Sequence, residues 1–393
     1  MSPTLLSLLC ALFLTLPLGL IFTIHHDPTA AATAATTAAT TLISPPPKKV
    51  TSHLQQPQPT FLKNVNVSEY EDNDDDNDND DSSLFHMASR VDPNPSPGAP
   101  KKIAFMFLTT GPLPFAPLWE LYFTRTRKTG LYNIYIHADP SIRPDLFHGV
   151  FSHRTIPSKP TRRHTPSLAA AHRRLLARAL LHDPANYMFA LVSPSCIPLH
   201  SFDFTYETVM NSKKSFIEIL ENEEGAWRRW AARGEMAMLP EVGFGDFRIG
   251  SQFSVLTRQH ARVAVNDTRI WSKFRLPCLQ KNVHTCYPEE SYLPTLLSMV
   301  DRIGCVPATL TYVDWEGRHD GHPHTFHEAE VGPELIRALR GRRPRYGDEE
   351  INGSDASVTR FTRRNDPFLF ARKFGSDTVG ALMDIANDVI LKD

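Results

Sequence analysis

The sequence predicts an α/β domain with a mostly parallel sheet, preceded by a membrane-crossing segment and an unfolded stem. Residues 5–24 are apolar and carry no charge, and residues 25–100 have a strongly biased composition. From residue 101 onward, short apolar runs alternate with helical segments, a pattern typical of βαβ units. Hydrophobic residues make up 41% of the 393-residue chain, enough to build a sizeable core. We therefore predict a single folded domain over residues 101–393.

The apolar segment at residues 5–24 is about as long as a helix that crosses a bilayer, which needs roughly 20 residues. We expect a transmembrane signal-anchor here, with residues 1–4 as a short cytoplasmic end. A cleaved signal peptide is the alternative, although its apolar region is usually shorter and follows a basic start. Either one delivers the remaining chain to the secretory lumen. The N-x-[ST] sequons at Asn66, Asn266 and Asn352 fit that location.

Residues 25–100 are predicted to be an unfolded stem. Residues 29–41 are almost entirely Ala and Thr, and residues 69–81 hold nine carboxylates in thirteen positions. Residues 1–99 contain 4 basic and 11 acidic residues, a net charge of −7, whereas the rest contains 38 and 32, a net charge of +6. Such a polar, charged segment buries too little apolar surface to fold. The mildly basic domain indicates no nucleic-acid binding but suits a phosphate-bearing ligand.

The domain begins with continuous apolar runs, as expected for strands that are covered on both faces. The predicted strands are residues 103–108, 132–137, 187–192, 215–220, 253–257, 309–313 and 368–373. The predicted helices are residues 118–128, 167–181 with Ser167 as N-cap, 258–265, 288–302 and 333–339. Ligands bind beyond the carboxyl ends of strands in such sheets. We therefore expect the loops at 109–114, 137–141 and 193–198 to meet at one rim.

Several common site motifs are missing from the domain. It has no phosphate-binding glycine loop, no C-x-x-C pair and no D-x-D string. Five cysteines are too few for a disulfide scaffold, although Cys278, Cys286, Cys305 and Cys196 can supply a bridge whose pairing stays open. A histidine-rich stretch, residues 319–327, is either a metal site or a loop that lines substrate or is purely structural, and we predict the loop.

The domain resembles plant members of the core-2/I-branching β-1,6-N-acetylglucosaminyltransferase family. The resemblance rests on strings that follow the family's order over nearly all of residues 101–374. They are KIAFMFLTTGPLPFAPLWE (102–120), YNIYIHADPS (132–141), RRLLARALLHDPANYMFALVSPSCIPL (173–199), GSQFSVLTRQHA (250–261), CYPEESYLPTLLS (286–298), TYVDWEGRHDGHPHTF (311–326) and FLFARKF (368–374).

This resemblance implies an enzyme with a GT-A-like, Rossmann-type nucleotide-sugar-binding domain, anchored in the Golgi membrane as a single-pass type II protein. It implies metal-independent, inverting transfer of a sugar from a UDP-sugar to a glycan or glycoprotein acceptor. UDP-N-acetylglucosamine and UDP-glucuronic acid are both compatible donors. No divalent metal is expected, which agrees with the missing D-x-D string.

Two adjacent carboxylates are the candidate catalytic residues. An inverting transfer needs one base to take the proton of the acceptor hydroxyl. By resemblance, Glu290 falls on the family's catalytic glutamate and Glu289 on its acidic neighbour. The alternative interpretation is that both carboxylates simply favour the N-terminus of the helix they begin.

Two basic residues near the C-terminus are the candidates for binding the departing diphosphate. Lys373 falls on the family's diphosphate-binding lysine, and Arg372 precedes it. An upstream arginine is expected to join them, and Arg360, Arg363 and Arg364 all qualify. The alternative is that a basic strand edge only discourages strand pairing.

The remaining candidates lie in the loops that follow the strands. By resemblance, the turn with His137 and Asp139 belongs to the donor site, with Thr109 and Gly111 on the same rim. A plain Asp-Pro turn is the alternative for Asp139. The residues predicted to meet the sugars are Ser193, Ser195, Trp315 and His322, and a core position is the alternative for Trp315.

Some positions depart from the family pattern. Asp-Glu-His-Tyr is usual where this chain reads Glu289 to Tyr292, and Lys-Gly-Ser-Gln-Trp is usual where it reads Ile249 to Phe253. Trp and an acidic residue are usual near His164, and Glu is usual at His172. These changes lie on the expected acceptor side. The alternatives are therefore a catalytically inactive Golgi protein of the same fold that binds glycans or acts as a scaffold, or a secreted lectin.

Overall fold

The computed structural model describes residues 79–94, 98–317, 321–348 and 364–393. The predicted membrane anchor (residues 5–24) and most of the predicted stem lie outside these ranges. Within them, no helix combines the length and the apolarity needed to cross a bilayer.

The described residues form short strands and helices that alternate along the chain. The strands are β1 (Lys102–Thr109), β2 (Tyr132–Ala138), β3 (Asn186–Val192), β4 (Ile197–Pro198), β5 (Ser215–Phe216), β6 (Val255–Thr257), β7 (Cys305–Val306), β8 (Thr311–Val313) and β9 (Phe370–Arg372). The helices are α1 (Asn79–Ser89), α2 (Ala116–Thr124), α3 (Ser167–His182), α4 (Phe202–Met210), α5 (Ala226–Trp230), α6 (Arg258–Asn266), α7 (Trp271–Phe274), α8 (Pro288–Asp301), α9 (Pro333–Gly341) and α10 (Val379–Ile385).

The larger sheet has six strands in the order β2-β1-β3-β6-β5-β7. Its pairings are parallel except at β6, which runs antiparallel to β3 and β5. Side chains of β1 alternate between two buried layers, because successive residues of a strand point to opposite faces. Phe105 and Phe107 pack against α2, whereas Ala104 and Met106 share a core with α3. The predicted mostly parallel, two-sided α/β sheet is therefore confirmed.

The carboxyl ends of β1, β2 and β3 lie at one edge of this sheet, as predicted. Thr109 is in register with Ala138, and the Asp139 backbone N–H donates to the Thr109 carbonyl oxygen over 3.0 Å. A second sheet, in the order β4-β9-β8, adjoins this edge. The Phe374 N–H, just after β9, donates to the Ser195 carbonyl oxygen over 3.1 Å. The C-terminal segment is thus fixed beside the rim.

Two local predictions are wrong. The strand predicted over residues 215–220 ends at Phe216, and Leu220 only forms an isolated bridge with Ile249. Ser167 is the first residue of α3 rather than its N-cap. Its hydroxyl instead accepts a hydrogen bond from the Arg162 backbone N–H over 2.8 Å, within the preceding turn.

The prediction of an unfolded stem up to residue 100 is wrong for residues 79–94, which include α1. Leu84 and Ala88 of this helix are buried in the same core as α3. The Asp81 carboxylate accepts hydrogen bonds from Arg174 Nε over 2.9 Å and from Arg174 Nη2 over 2.5 Å. The guanidinium of Arg173 stacks 4.4 Å from the Phe85 ring centroid. The folded part of the chain therefore begins before Lys101.

Replacing Asp81 by Asn should lower the free energy of unfolding at pH 7 by about 1–3 kcal/mol, as expected when a partly buried charged hydrogen bond is lost. Burial raises the pKa of Asp81, but the hydrogen bonds and charge of Arg174 and the charge of Lys159 outweigh it and hold that pKa below its usual value. A lowered carboxyl pKa stabilises the fold above the unfolded-state pKa, and this contribution is lost as the pH falls through the folded-state pKa. Urea denaturation of both proteins across pH 3–7 should show the difference shrinking in acid. Asp145→Asn, at an exposed site, is the control, and an equal loss in both variants would contradict the assignment.

Candidate active site

A cavity of about 750 Å³ opens where the chain leaves β5, beside the first turn of α8 and the second sheet. Its charged lining residues are Glu218, Glu223, Glu290, Arg229, Arg342, Arg343, Arg345 and Arg372. Its aromatic lining residues are Phe253, Tyr312, Trp315 and Phe368. Arginines outnumber carboxylates in this wall, so the cavity suits an anionic ligand that also presents a polar, uncharged part.

Glu290 lies in the first turn of α8, whose first residue is Pro288. A proline suits this position because it lacks the N–H that a first-turn residue would leave unpaired. The Glu290 carbonyl oxygen accepts a hydrogen bond from Gly250 N–H over 2.8 Å, and carboxylate Oε2 accepts one from Arg229 Nη1 over 2.7 Å. The carboxylate is thus aimed into the cavity and paired with a cation there.

Arg229 is held in place by an aromatic ring as well as by Glu290. Its guanidinium carbon lies 4.6 Å from the centroid of the Tyr287 ring, within the range of a cation–π interaction. The His164 ring also contacts Tyr287, and the two ring centroids lie 4.9 Å apart. Tyr287 directly follows Cys286, which forms a disulfide with Cys278. This bridge is one of the pairings that the sequence left open.

Gly250 brings two chain segments into unusually close contact. A Cβ at this position would lie 2.0 Å from the Glu218 carbonyl oxygen, so a side chain has no room. Glu218 comes two residues after β5, and the backbone N–H of Ser251 hydrogen-bonds its side chain. The glycine therefore places the Glu218 and Glu290 carboxylates in the same cavity.

Two carboxyl groups beside Glu290 have raised pKa values. Burial raises the pKa of Glu218 to about 7, opposed by Arg345 and increased further by Glu223 and Glu290. Burial also raises the pKa of Glu289 to about 8, with the Glu290 charge adding to the effect. Glu289 Oε2 is buried and has no hydrogen-bond partner among the described residues. Glu289 is therefore mostly protonated at neutral pH, whereas Glu290 is the residue that pairs with Arg229.

Arg372, the last residue of β9, and Lys373, which follows it, form a cationic edge. Arg372 stacks 4.7 Å from the Phe253 ring centroid and lines the same cavity as Glu290. Burial lowers the pKa of Arg372 despite the opposing charges of Cys196 and Glu290. Burial likewise lowers the pKa of Lys373, and the charges of Arg372 and Arg163 lower it further. Cations that burial and mutual repulsion destabilise in this way would be stabilised by a bound anion.

The expected upstream arginine is not found among the predicted candidates that the structure describes. Arg364 makes two hydrogen bonds to the Asp366 carboxylate, of 2.7 and 2.9 Å. Arg360 and Arg363 lie outside the described residues. Arg229 and Arg163 approach the site instead, and sequence reasoning missed both because neither lies in a segment whose spacing relates it to Glu290 or Lys373.

Of the four predicted donor-site residues, Thr109, Gly111 and Asp139 lie at the rim, where the Thr109 and Asp139 side chains hydrogen-bond within the local loops. The Asp139 carboxylate accepts hydrogen bonds from Ser141 N–H, Ser141 Oγ and Thr161 N–H, over 3.0, 2.7 and 3.1 Å. Thr109 Oγ1 donates to the Gly111 carbonyl oxygen over 2.5 Å. The His137 side chain is fully buried, and burial lowers its pKa to about 4. His137 thus lies beneath the rim as a neutral ring rather than on it.

The predicted sugar-contacting residues are divided between the rim and the cavity. Ser193 Oγ lies 3.3 Å from Ser195 Oγ, in the loop that the second sheet adjoins. Trp315 lines the cavity and is 51% exposed, so it is not a core residue. His322 is exposed, and its charge acts on His164. Within the described ranges, no group of three His, Cys, Asp or Glu side chains could hold a metal ion.

Comparison with known proteins identifies the family. Residues 103–340 match the model of the Core-2/I-Branching enzyme family. The chain belongs to this family. It is also 28% identical over 335 residues to "Glycosyltransferase BC10" of Oryza sativa subsp. japonica, covering 76% of this chain and 80% of that protein.

This core-2/I-branching enzyme is therefore a glycosyltransferase, and the cavity is its candidate active site. The family match contains Glu290 and the glycine that positions it, whereas Arg372 and Lys373 lie beyond residue 340. The cationic edge is brought to the cavity by the pairing of β9 with β8, in which Arg372 is in register with Val313. The cavity therefore contains both carboxylate and guanidinium groups.

The raised pKa of Glu289 predicts how stability depends on pH in this glycosyltransferase. Between the unfolded-state pKa of about 4.5 and the folded-state pKa of about 8, the folded protein binds more protons, so the free energy of unfolding falls as the pH rises. Glu289→Gln removes this titration. Melting temperatures measured from pH 4.5 to 8.5 should rise in the variant relative to the natural protein as the pH increases. Glu224→Gln, at an exposed site, is the control, and a constant difference between Glu289→Gln and the natural protein across this range would contradict the assignment.

Proposed function

We propose that this glycosyltransferase transfers N-acetylglucosamine or glucuronic acid from a UDP-sugar to a glycan or glycoprotein acceptor, with inversion at the anomeric carbon and without a metal ion. The observation that supports this most strongly is that Glu290 and Arg372 line the same cavity. One group can take a proton while the other stabilises negative charge. The mostly parallel sheet, with its loops at the carboxyl ends of β1–β3, suits a GT-A-like nucleotide-binding domain.

In this proposal Glu290 is the general base. It takes the proton of the acceptor hydroxyl while that oxygen forms a bond to the anomeric carbon and the bond to the UDP oxygen breaks. Its position in the first turn of α8 places the carboxylate at the positive end of the helix dipole. Because Arg229 occupies Oε2, the hydroxyl must approach the other carboxylate oxygen or replace this contact. Glu218, with its raised pKa, is a second carboxyl group that can hydrogen-bond a sugar hydroxyl in the same cavity.

Arg372 and Lys373 are the groups proposed to stabilise the departing diphosphate. Its negative charge increases as the bond to the sugar breaks, and fixed cations in a partly buried site stabilise such charge well. Arg163 contributes to the same electrostatic environment, since its charge acts on both residues. This arrangement supplies, through side chains, the neutralisation that a divalent ion supplies in other sugar-nucleotide enzymes.

The cellular setting follows from the sequence and is also proposed. The apolar segment at residues 5–24 would anchor the protein in the Golgi membrane as a single-pass type II protein, with the catalytic domain in the lumen. The sequons fit this setting, and the Asn266 side chain, at the end of α6, is exposed.

A catalytically inactive glycan-binding or scaffold protein is the second candidate function. The observation that favours it is the Arg229–Glu290 ion pair, because Arg229 occupies one of the two oxygens through which the base would accept a proton. The departures from the family pattern at Ile249 and Ser291 surround the same carboxylate.

A donor screen on the purified full chain separates these candidates. In the presence of EDTA, we expect UDP release from one UDP-sugar, and Glu290→Gln should reduce it by roughly 100-fold or more while UDP still binds. Glu224→Gln, at an exposed site, is the control. Activity that requires an added divalent ion would contradict the mechanism, and UDP binding without turnover of any donor would favour the inactive protein.

A further inference from the structure

Arg342 is a cavity residue to which the proposed reaction assigns no role. It directly follows α9 and lines the same cavity as Glu290 and Arg372. Arg345, from the same segment, is already paired, because it donates to the Glu223 carboxylate over 2.7 Å. An arginine that lines a substrate cavity and serves neither the base nor the leaving group indicates a further anionic contact.

The contacts that Arg342 makes within the protein leave its guanidinium accessible. Its Nη2 lies 3.6 Å from the Glu316 carboxylate, and the two side chains are 54% and 80% exposed. Such an exposed ion pair contributes little free energy, so an incoming anion can replace it. The guanidinium carbon also lies 5.5 Å from the Tyr312 ring centroid, within the range of a cation–π interaction. Tyr312, itself a lining residue, thus holds the guanidinium beside the cavity without using its N–H groups.

The backbone that carries Arg342 is fixed by hydrogen bonds. The Arg342 backbone N–H donates to the Leu339 carbonyl oxygen over 3.2 Å. Nη1 of Arg343 donates to the carbonyl oxygens of Arg340 and Arg342, over 2.7 and 2.8 Å. Pro344, the next residue, is buried. An anion would therefore meet an arginine whose backbone is already ordered, which lowers the entropy that binding costs.

Arg342 is separated from the cations proposed to bind the diphosphate. The second sheet has the order β4-β9-β8, in which β4 adjoins the rim, Arg372 ends β9 and Tyr312 belongs to β8. Arg372 thus lies between the rim and the strand that Arg342 contacts. Thr109 and Asp139 of the rim do not line the cavity. A donor that extends from Arg372 toward the rim would leave Arg342 to the other substrate, the acceptor.

We propose that Arg342 binds a carboxylate of the acceptor, which is therefore an acidic glycan that contains a uronic acid. This proposal rests on the proposed function and deepens it by naming the class of acceptor. A planar guanidinium donates two parallel hydrogen bonds to a carboxylate, a geometry that the ammonium group of lysine does not offer. Trp315, exposed in the same cavity, offers an aromatic face on which the C–H face of a sugar ring can pack.

The competing interpretation is that Arg342 serves only as the surface partner of Glu316. The two interpretations predict different effects of Glu316→Gln. If Arg342 binds the acceptor, this substitution removes a competing carboxylate, and the affinity for an acidic glycan should rise about two- to fivefold. If Arg342 only pairs with Glu316, the substitution should leave glycan binding unchanged.

The test measures binding of acidic oligosaccharides and their neutral counterparts by the full chain in the presence of excess UDP. The probes are trigalacturonate and glucuronic acid-bearing galactotriose and xylotriose, each beside the same compound with its carboxyl groups reduced to alcohols, titrated by calorimetry. In the natural protein, we expect at least one acidic probe to bind about tenfold more tightly than its reduced form, as for a hydrogen bond between charged groups. Arg342→Gln should abolish this preference, and Arg342→Lys should retain part of it.

Arg337→Gln is the matched control. Arg337 belongs to α9, is 61% exposed and pairs with Glu334 outside the cavity. This variant should keep the full preference for the acidic probe. Its melting temperature should match that of Arg342→Gln, because both substitutions remove an exposed side chain.

Each outcome bears on the inference separately from the proposed function. Loss of the preference in Arg342→Gln alone would support the inference even if no UDP-sugar is turned over, in which case only the proposed reaction fails. Equal binding of the acidic and reduced probes by the natural protein, or binding of none of them, would overturn the inference even if turnover is found.

Two further outcomes would place the carboxylate elsewhere. A preference that is lost in Lys373→Gln but kept in Arg342→Gln would assign it to the cationic edge and overturn the inference. Weaker binding of UDP-glucuronic acid, but not of UDP-N-acetylglucosamine, to Arg342→Gln with the preference for the acidic probe intact would assign Arg342 to the donor sugar. That result would also overturn the inference.

Discussion

The ion pair between Arg229 and Glu290 is the interaction on which the rest of the site depends. It joins α5 to the first turn of α8, and the Tyr287 ring also contacts the arginine. Gly250 then connects the carbonyl of Glu290 to the segment that carries Glu218. Segments around residues 218, 229 and 250 thus meet the one that carries Glu290. A partly solvent-accessible ion pair contributes little to stability, so the value of this one lies in orientation and charge.

The electrostatics of the cavity follow from that convergence. Burial, with the charges of Glu223 and Glu290, raises the pKa of Glu218, and burial with the charge of Glu290 keeps Glu289 mostly neutral. Burial, with the charges of Arg372 and Arg163, lowers the pKa of Lys373. Both effects cost free energy, and a ligand that presents hydroxyls to the carboxyl groups and negative charge to the cations would relieve both. The proposed UDP-sugar donor has this distribution of groups.

The sequence predicted the elements that local composition determines. It missed features that depend on contacts between residues far apart in the chain. The apolar run of β1 and the proline-started helix α8 are found within two residues of their predicted bounds, because local composition determines both. The strand predicted over 215–220 ends at Phe216, and the chain beyond it packs against Gly250, a tertiary contact that no local pattern reveals. The helix α1 was missed because its buried Leu84 and Ala88 follow a run of carboxylates, and its acidic residue pairs with Arg174, almost a hundred residues away.

For the site, the sequence and the family resemblance located Glu290 and Arg372, whereas Arg229 and Glu218 required the fold. The most direct measurement for the central claim, that one cavity holds both the base and the leaving group, is a crystal structure of the protein with UDP bound. We expect the diphosphate within hydrogen-bond distance of Arg372 or Lys373, with the Glu290 carboxylate facing the position where the sugar would attach. A diphosphate bound away from this cationic edge, or on a face that Glu290 does not reach, would contradict the claim.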